Sequence, residues 1–219
     1  MKQPNDSDVN IITKKSAYQG FFKVNQYTLQ HGLFAGGKTR ILTRECFERG
    51  HAVGVLAYDP WLDNIVLLEQ FRIGAYVYGK ELADDAVQSE KHSAWLLEII
   101  AGIVDPGEAQ VEVAHREAQE EAGLELLALE SIGDFYASPG GTSETTQLYC
   151  ACVNSQGAGG IHGLEEEGED IRVRVVTYEE AVQLLKDGRL NNASAMIAMQ
   201  WLMLNRVAMR TKWHDLGKN

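Results

Sequence analysis

Cysteine is scarce in this chain, with 3 residues among 219. Cys46, Cys150 and Cys152 are an odd number without framework spacing, and the last two fall on one stretch that reads as a strand. A disulfide-stapled scaffold is therefore excluded, and reduced thiols in a cytoplasmic protein are expected. Positive charge is also short. The 20 Lys and Arg against 31 Asp and Glu leave a net charge of -11 and a pI near 5.0. That balance argues against nucleic acid as the main partner, because duplex binding depends on basic side chains neutralising phosphates. Long apolar runs are missing too: no window approaches ~18 uninterrupted apolar residues, and the opening "MKQPNDSDVNIITKK" lacks a signal-peptide core. Neither internal repeats nor low-complexity tracts occur. The expectation is a soluble, intracellular protein without membrane partners.

What is present suits one globular domain, or one domain with a small extra element, at 45% hydrophobic and 23% charged residues. The first ten or so residues are polar and read as a frayed end. "AYQGFFKVNQYTLQHGLF" (17–34) and "TRILTRECFERG" (39–50), separated by "AGGK", read as a hairpin or a pair of edge strands. They delimit an N-terminal strand sub-domain over 1–49, with the main domain over 50–219. "HAVGVLAY" (51–58) and "IVLLEQFRI" (65–73) form a strand pair around the turn "DPWLDN". Residues 77–93 break the pattern and read as an exposed loop. "WLLEIIAGIV" (95–104) is strand-like, Pro106-Gly107 turns the chain into a helix over 109–122, and "LALESIGDFYAS" and "TTQLYCACV" add strands. Thr177 and Glu180 form a capping box for an amphipathic helix. A last helix, about 193–210, carries Met196, Ile197, Trp201, Leu202 and Leu204 on or near one side for docking. The result is α+β, an α/β/α sandwich with a mixed central sheet and an added N-terminal antiparallel strand element.

The helix of 109–122 is unusual in its charge. Glu117, Glu120 and Glu121 stand together in "HREAQEEAGL", where each like-charge pair three or four residues apart costs roughly 0.2–0.5 kcal/mol on an isolated helix. At 100° per residue, Val111, Ala114, Ala118 and Ala122 share one arc, which reads as the buried stripe. The glutamates occupy a second arc roughly a quarter turn away, at the edge of the packed face. Arg116 lies four residues before Glu120 and pairs with it on this reading, leaving Glu117 and Glu121 to share a cation. Taken alone, three glutamates describe a solvated helix face. With no Cys or His ligand set nearby, a cation held by such carboxylates would be a hard one, Mg²⁺ or Mn²⁺. Such an ion could neutralise a diphosphate and activate a water for attack on phosphorus.

The spacing supplies the missing context. Gly102, five residues, Glu108, seven residues, Arg116-Glu117, Ala118, one residue, Glu120-Glu121, one residue, Gly123 and Leu124 resemble the Nudix box at every fixed position. That family's hydrolases cut nucleoside diphosphates linked to another moiety. The resemblance implies a mixed sheet between helices, the box as loop, helix and loop, and divalent metal at its glutamates.

Pro139, sixteen residues past Gly123 in "ASPGGTSE", resembles the ADP-ribose pyrophosphatase branch. So do "YQGFF", "ECFERGHAV", "LLEQFRIGAY", "WLLEIIAG", "GIHGLEEEGEDIRV" and "AMQWL", which together span most of the chain. The branch implies hydrolysis of ADP-ribose to AMP and ribose 5-phosphate by a homodimer with exchanged N-terminal strands. By position, it implies metal at Glu117, Glu120, Glu121, Glu169 and the Ala101 carbonyl. It implies Glu167 as general base, with Glu120 and Arg116 beside it in the catalytic set. It implies Arg72 on the phosphates, Phe21 and Arg44 from a partner subunit on the adenine, and the Pro139, Gly140 and Glu144 segment on the terminal ribose.

Each residue also has a plainer role. "EEEGED" alone would be a solvated loop, Arg72 alone a surface charge, and Pro139 alone a turn residue. Phe21-Phe22 sits in a strand where one ring must face inward, so Phe21 is a core candidate as well as a stacking one. His115 and His162 have no identifiable catalytic partner, and Cys150 and Cys152 read as buried filler. The 77–93 segment departs from the branch by its length. Two other functions stay open: the same reaction on ADP-sugars, NADH or diadenosine compounds, and a non-catalytic nucleotide sensor. The intact box and the absence of a basic DNA-reading segment weigh against the sensor.

Overall fold

The computed structural model describes residues 3–81 and 92–216. It divides the chain into two compact units, one of residues 1–51 with 136–145 and one of 52–135 with 146–219.

The first unit holds an antiparallel three-stranded sheet of β1 (Asn10–Gln19), β2 (Lys23–Gln30) and β3 (Leu42–Glu48) in that order. The 17–34 stretch is two strands, not one, because the chain reverses at residues 20–22 and β1 pairs back onto β2. Residues 5–10 are structured, not frayed. Asn5 caps a 3-10 turn over Asp6–Asp8, accepting from Ser7 N–H while Asp8 accepts from Asn5 N–H, and β1 follows. Segment 136–145 lies along β3, with Phe47 N–H donating to the Gly141 carbonyl at 2.8 Å.

The second unit is built on a mixed eight-stranded sheet. Its main path runs β10 (Gly160–His162), β11 (Ile171–Thr177), β5 (Asn64–Phe71), β4 (His51–Asp59), β9 (Thr145–Cys152) and β8 (Ala128–Tyr136). β6 (Trp95–Glu98) pairs with β5, and β7 (Ile100–Val104) pairs with β4. β4 and β9 are parallel, whereas β4 with β5 and β5 with β11 are antiparallel.

The central strands bury both faces, and the two-residue period divides their side chains between two cores. Val53, Val55, Ala57, Val66 and Leu68 pack with Val113, Ala114, Ala118 and Ala122 of helix α2 (Gln110–Ala122). Leu56, Tyr58, Ile65 and Leu67 face the other way, onto Ala181 of α3 (Tyr178–Lys186) and Ala195, Ala198, Met199 and Leu202 of α4 (Ala193–Trp213). This is the expected α/β/α sandwich. Cys150 and Cys152 are buried and free in the second core.

Four local expectations need correcting. Residues 77–81 belong to a helix, α1 (Ile73–Glu81), and 82–91, the rest of the expected loop up to 92–93, lie outside the described residues. β11 was not assigned from sequence, although "IRVRVVT" alternates; it pairs antiparallel with β5. On α4, Leu202 docks but Leu204 is 87% exposed, since the buried stripe runs through Ala195, Ala198, Met199, Leu202, Met209 and Trp213. On α2 the stripe includes Val113, while Val111 is exposed. Among the described residues, no helix is long and apolar enough to cross a membrane.

Candidate active site

The box is built around the entry to α2. Gly107 takes a positive φ of 93° in the turn after β7. Gly123 ends the helix in the left-handed conformation, its N–H reaching the Ala118 and Gln119 carbonyls, an end that favours glycine. A Cβ on Gly123 would also meet the His162 ring at 2.8 Å, so His162 serves packing at the helix end.

The three box glutamates occupy different environments. Glu121 is 3% exposed and accepts a 2.9 Å hydrogen bond from Ala101 N–H of β7. It was expected at the rim. The buried arc is in fact rotated toward it, which is also why Val113 replaces Val111. Burial pushes the Glu121 carboxyl up to about 8, with the charges of Glu117 and Glu169 adding to the effect. Glu117 is pushed up to about 7, again chiefly by burial and against the pull of Arg116. Glu120 is half-buried.

Arg116 does more than pair with Glu120. Its guanidinium meets Glu108 at 3.1 Å, Glu117 at 2.7 Å and Glu120 at 3.2 Å. It also holds the Glu108 carboxyl below its ordinary range. So Glu117 is not left to Glu121 alone in this structure.

The acidic loop joins the same place. A 3-10 turn covers Glu165–Glu167, and Gly168 follows in the left-handed conformation. Gly163 N–H donates to the Glu120 carbonyl at 3.2 Å, tying the loop to α2. Glu169 accepts from Leu164 N–H at 3.1 Å, and its charge raises the pKa of both Glu117 and Glu121. Glu167 is exposed on the turn. Arg72, just past β5, contributes a charge felt at Glu121. Its guanidinium binds Glu98 of β6 at 2.8 Å. Glu98 was not singled out from sequence, although it stands within the quoted "WLLEIIAG"; the signal was its place opposite the arginine's strand.

The other candidate residues fall in the first unit. Phe21 lies at the β1–β2 reversal and is 89% exposed; Phe22, with its ring 5.1 Å from Phe47, takes the inward position. Arg44 is exposed on β3 opposite Tyr27. Pro139 and Gly140 are exposed on segment 136–145, where Glu144 pairs with Arg49 at 3.5 Å. Arg49 in turn lies over the Phe22 ring. Residues about a hundred positions apart are thus gathered in one unit.

Among the described residues, no three acidic, His or Cys side chains form a ready metal cage, with Arg116 and Ala101 N–H occupying carboxylate oxygens of Glu117 and Glu121. The chemistry of the donors nevertheless fits a hard divalent cation. They are carboxylates, two of them raised by burial, so negative charge there lacks full compensation.

The NUDIX domain family matches residues 50–199. The chain belongs to the Nudix family. Among its Nudix relatives, the ADP-ribose pyrophosphatase of Escherichia coli K12 is 43% identical over 207 residues, covering 94% of this chain and 93% of that one. The ADP-ribose pyrophosphatase of Haemophilus influenzae is 42% identical, covering 94% and 91%. A GDP-mannose pyrophosphatase of Pectobacterium atrosepticum is 30% identical, covering 89% and 93%. In fold, the chain is similar to a solved ADP compounds hydrolase, with a TM-score of 0.63 at 20% identity over 94% of this chain and 97% of that one.

Proposed function

We propose that this Nudix protein hydrolyses the diphosphate of ADP-ribose to AMP and ribose 5-phosphate. The observation that carries the reading is the convergence of half-buried Glu117 and buried Glu121 with the Glu165–Glu169 loop, in a chain 43% identical to an ADP-ribose pyrophosphatase over nearly its whole length. Mg²⁺, or Mn²⁺ in its place, would be held by Glu117, Glu120, Glu121, Glu169 and the Ala101 carbonyl. When bound, such an ion neutralises diphosphate charge and lowers the pKa of water.

The chain's own groups supply the rest. Arg72 offers a fork of N–H donors to phosphate oxygens. Glu167, on a turn anchored to α2 through Gly163, takes a proton from the attacking water and releases it to solvent. The water oxygen bonds to phosphorus as the bridging P–O bond breaks, and each product leaves with its own phosphate. Arg116 keeps Glu117 and Glu120 in place through their shared ion pairs.

The proposal includes a cytoplasmic homodimer with exchanged N-terminal strands. Residues 1–49 serve assembly and 50–219 catalysis. Phe21 and Arg44 of one subunit would hold adenine in its partner's site, with Pro139, Gly140 and Glu144 at the terminal ribose. The exposed Phe21 ring supports a stacking role.

The test is incubation of purified protein with ADP-ribose and Mg²⁺, with and without EDTA, resolving the nucleotides. AMP released only with metal supports the proposal; intact ADP-ribose alongside cleaved GDP-mannose or another nucleoside diphosphate compound would replace the substrate. Persistence of near wild-type turnover in Glu117→Gln or Glu121→Gln would remove the metal assignment.

A further inference from the structure

A guanidinium carries two bidentate edges: one formed by Nε–H with an Nη–H, the other by N–H groups of both Nη atoms. In Arg72 the first edge is occupied, since Nε and Nη2 each lie 2.8 Å from Glu98 Oε2. The second edge has the geometry that phosphate oxygens accept. The partner is itself well held. Glu98 faces Leu68 across the β5–β6 ladder, and Leu68 belongs to the core beneath α2. The Glu98 side chain is 14% exposed, against 44% for Arg72.

The backbone of Arg72 is pinned as well. Its N–H donates to the Ala94 carbonyl at 2.8 Å, and its carbonyl accepts from Tyr76 N–H at 3.0 Å as α1 begins. What remains to be fixed is the direction of a long side chain. The Arg72 charge is felt at Glu121, which also feels Glu117 and Glu169, and such carboxylates attract a guanidinium. An untethered Arg72 would turn onto those carboxylates and compete with the cation they suit.

We propose that Glu98 is the positioning residue of Arg72. It binds the side edge of the guanidinium, keeps it off the box carboxylates, and presents its end edge to the diphosphate. This rests on the reading of Arg72 as the diphosphate-binding side chain. Glu98 itself touches no substrate. Its removal therefore alters binding through Arg72 and leaves the proton-handling groups in place.

The experiment is a double-mutant cycle on Glu98→Gln and Arg72→Ala, with inorganic pyrophosphate binding measured by calorimetry in Mg²⁺. Glu98→Gln is expected to weaken binding about tenfold, a difference of ~1.4 kcal/mol, and to add nothing in the Arg72→Ala background. In turnover, KM for ADP-ribose should rise with kcat held within about threefold, the pattern of lost uniform binding. Wild-type affinity in Glu98→Gln, or an equal loss in both backgrounds, overturns the proposal, as does an Arg72→Ala protein that binds pyrophosphate normally. If Glu98→Gln fails to fold, Arg72→Lys replaces it, because lysine has the charge without the two edges; undiminished pyrophosphate binding by Arg72→Lys then overturns the proposal. The expected pyrophosphate cycle without AMP release from ADP-ribose by the wild type would remove the substrate reading and keep the role of Glu98.

Discussion

A Cβ added to Gly102 would sit 1.8 Å from Oε1 of Glu117. No such contact is tolerated between non-bonded atoms, so the glycine on β7 and the glutamate on α2 are a matched pair: the strand gives up a side chain so that the carboxylate can lie against it. Any residue but glycine at 102 must move Glu117.

That relationship gives a first prediction. Gly102→Ala should remain folded, because the obstructing atoms belong to a side chain, but Glu117 must leave its position. Since a displacement of about 1 Å in a catalytic constellation can cost on the order of 10²-fold, kcat/KM should fall by that factor and the Mg²⁺ requirement should rise. Steady-state assays across a Mg²⁺ titration, with circular dichroism as the folding control, check this. Wild-type kinetics would mean that Glu117 works from another position.

The raised carboxyls predict how metal-free stability depends on pH. Glu121 titrates near 8 and Glu117 near 7 in the folded chain, against 4.5 ordinarily, mainly because burial disfavours their charged forms. The folded state therefore binds protons more tightly than the unfolded state. The stability this contributes is complete below the ordinary carboxylate range and is lost as pH rises through about 7 and 8. Urea unfolding in EDTA should show this decline, on the order of a few kcal/mol. Glu121→Gln should flatten much of it, and saturating Mg²⁺ should offset it by binding the charged carboxylates. Parallel profiles for wild type and Glu121→Gln would contradict the burial argument.

Far from the site, Asp63 sits in the left-handed region at φ 59°, accepting from Tyr58 Oη at 2.7 Å and from Arg206 Nε at 3.0 Å. Arg206 also lies 3.9 Å from the centre of the Tyr178 ring, so one side chain links the β4–β5 turn, α3 and α4. Arg206→Ala should cost about 1–2 kcal/mol of unfolding free energy by losing a charge-assisted pair and a cation–π contact, with KM unchanged. Denaturant unfolding checks the loss. Arg206→Lys should recover only part of it, since lysine keeps the charge without the planar fork.

The box was legible because its information is local: Gly102 to Leu124 is one continuous stretch, and its spacing alone fixes which residues share a helix face. The two core-facing strands β4 and β5 were legible for the same reason, as apolar runs bounded by turn residues. What escaped depended on partners distant in sequence. Glu121 looked like a rim residue because a helical wheel contains no β7 to cover it. Glu98 looked like one more charge because its meaning comes from Arg72, twenty-six positions earlier. β11 alternates arginine and valine, and its place is fixed by the antiparallel ladder with β5, where Glu69 also accepts from Arg172.

The final prediction separates proton transfer from metal binding. Glu167 lies exposed on a 3-10 turn, whereas Glu121 is buried beneath β7. A general base contributes typically 10²–10⁴-fold, so Glu167→Gln should lower kcat by that order while leaving the Mg²⁺ midpoint and thermal stability near wild type. Under the proposed metal assignment, Glu121→Gln should lower kcat and shift the Mg²⁺ midpoint together, because it would remove a ligand charge. The pH profile adds a check: loss of a base should abolish the acidic limb of kcat in Glu167→Gln at saturating Mg²⁺. An acidic limb that survives this substitution would assign proton removal to another carboxylate of the loop, and single replacements of Glu165, Glu166 and Glu169 would then identify it.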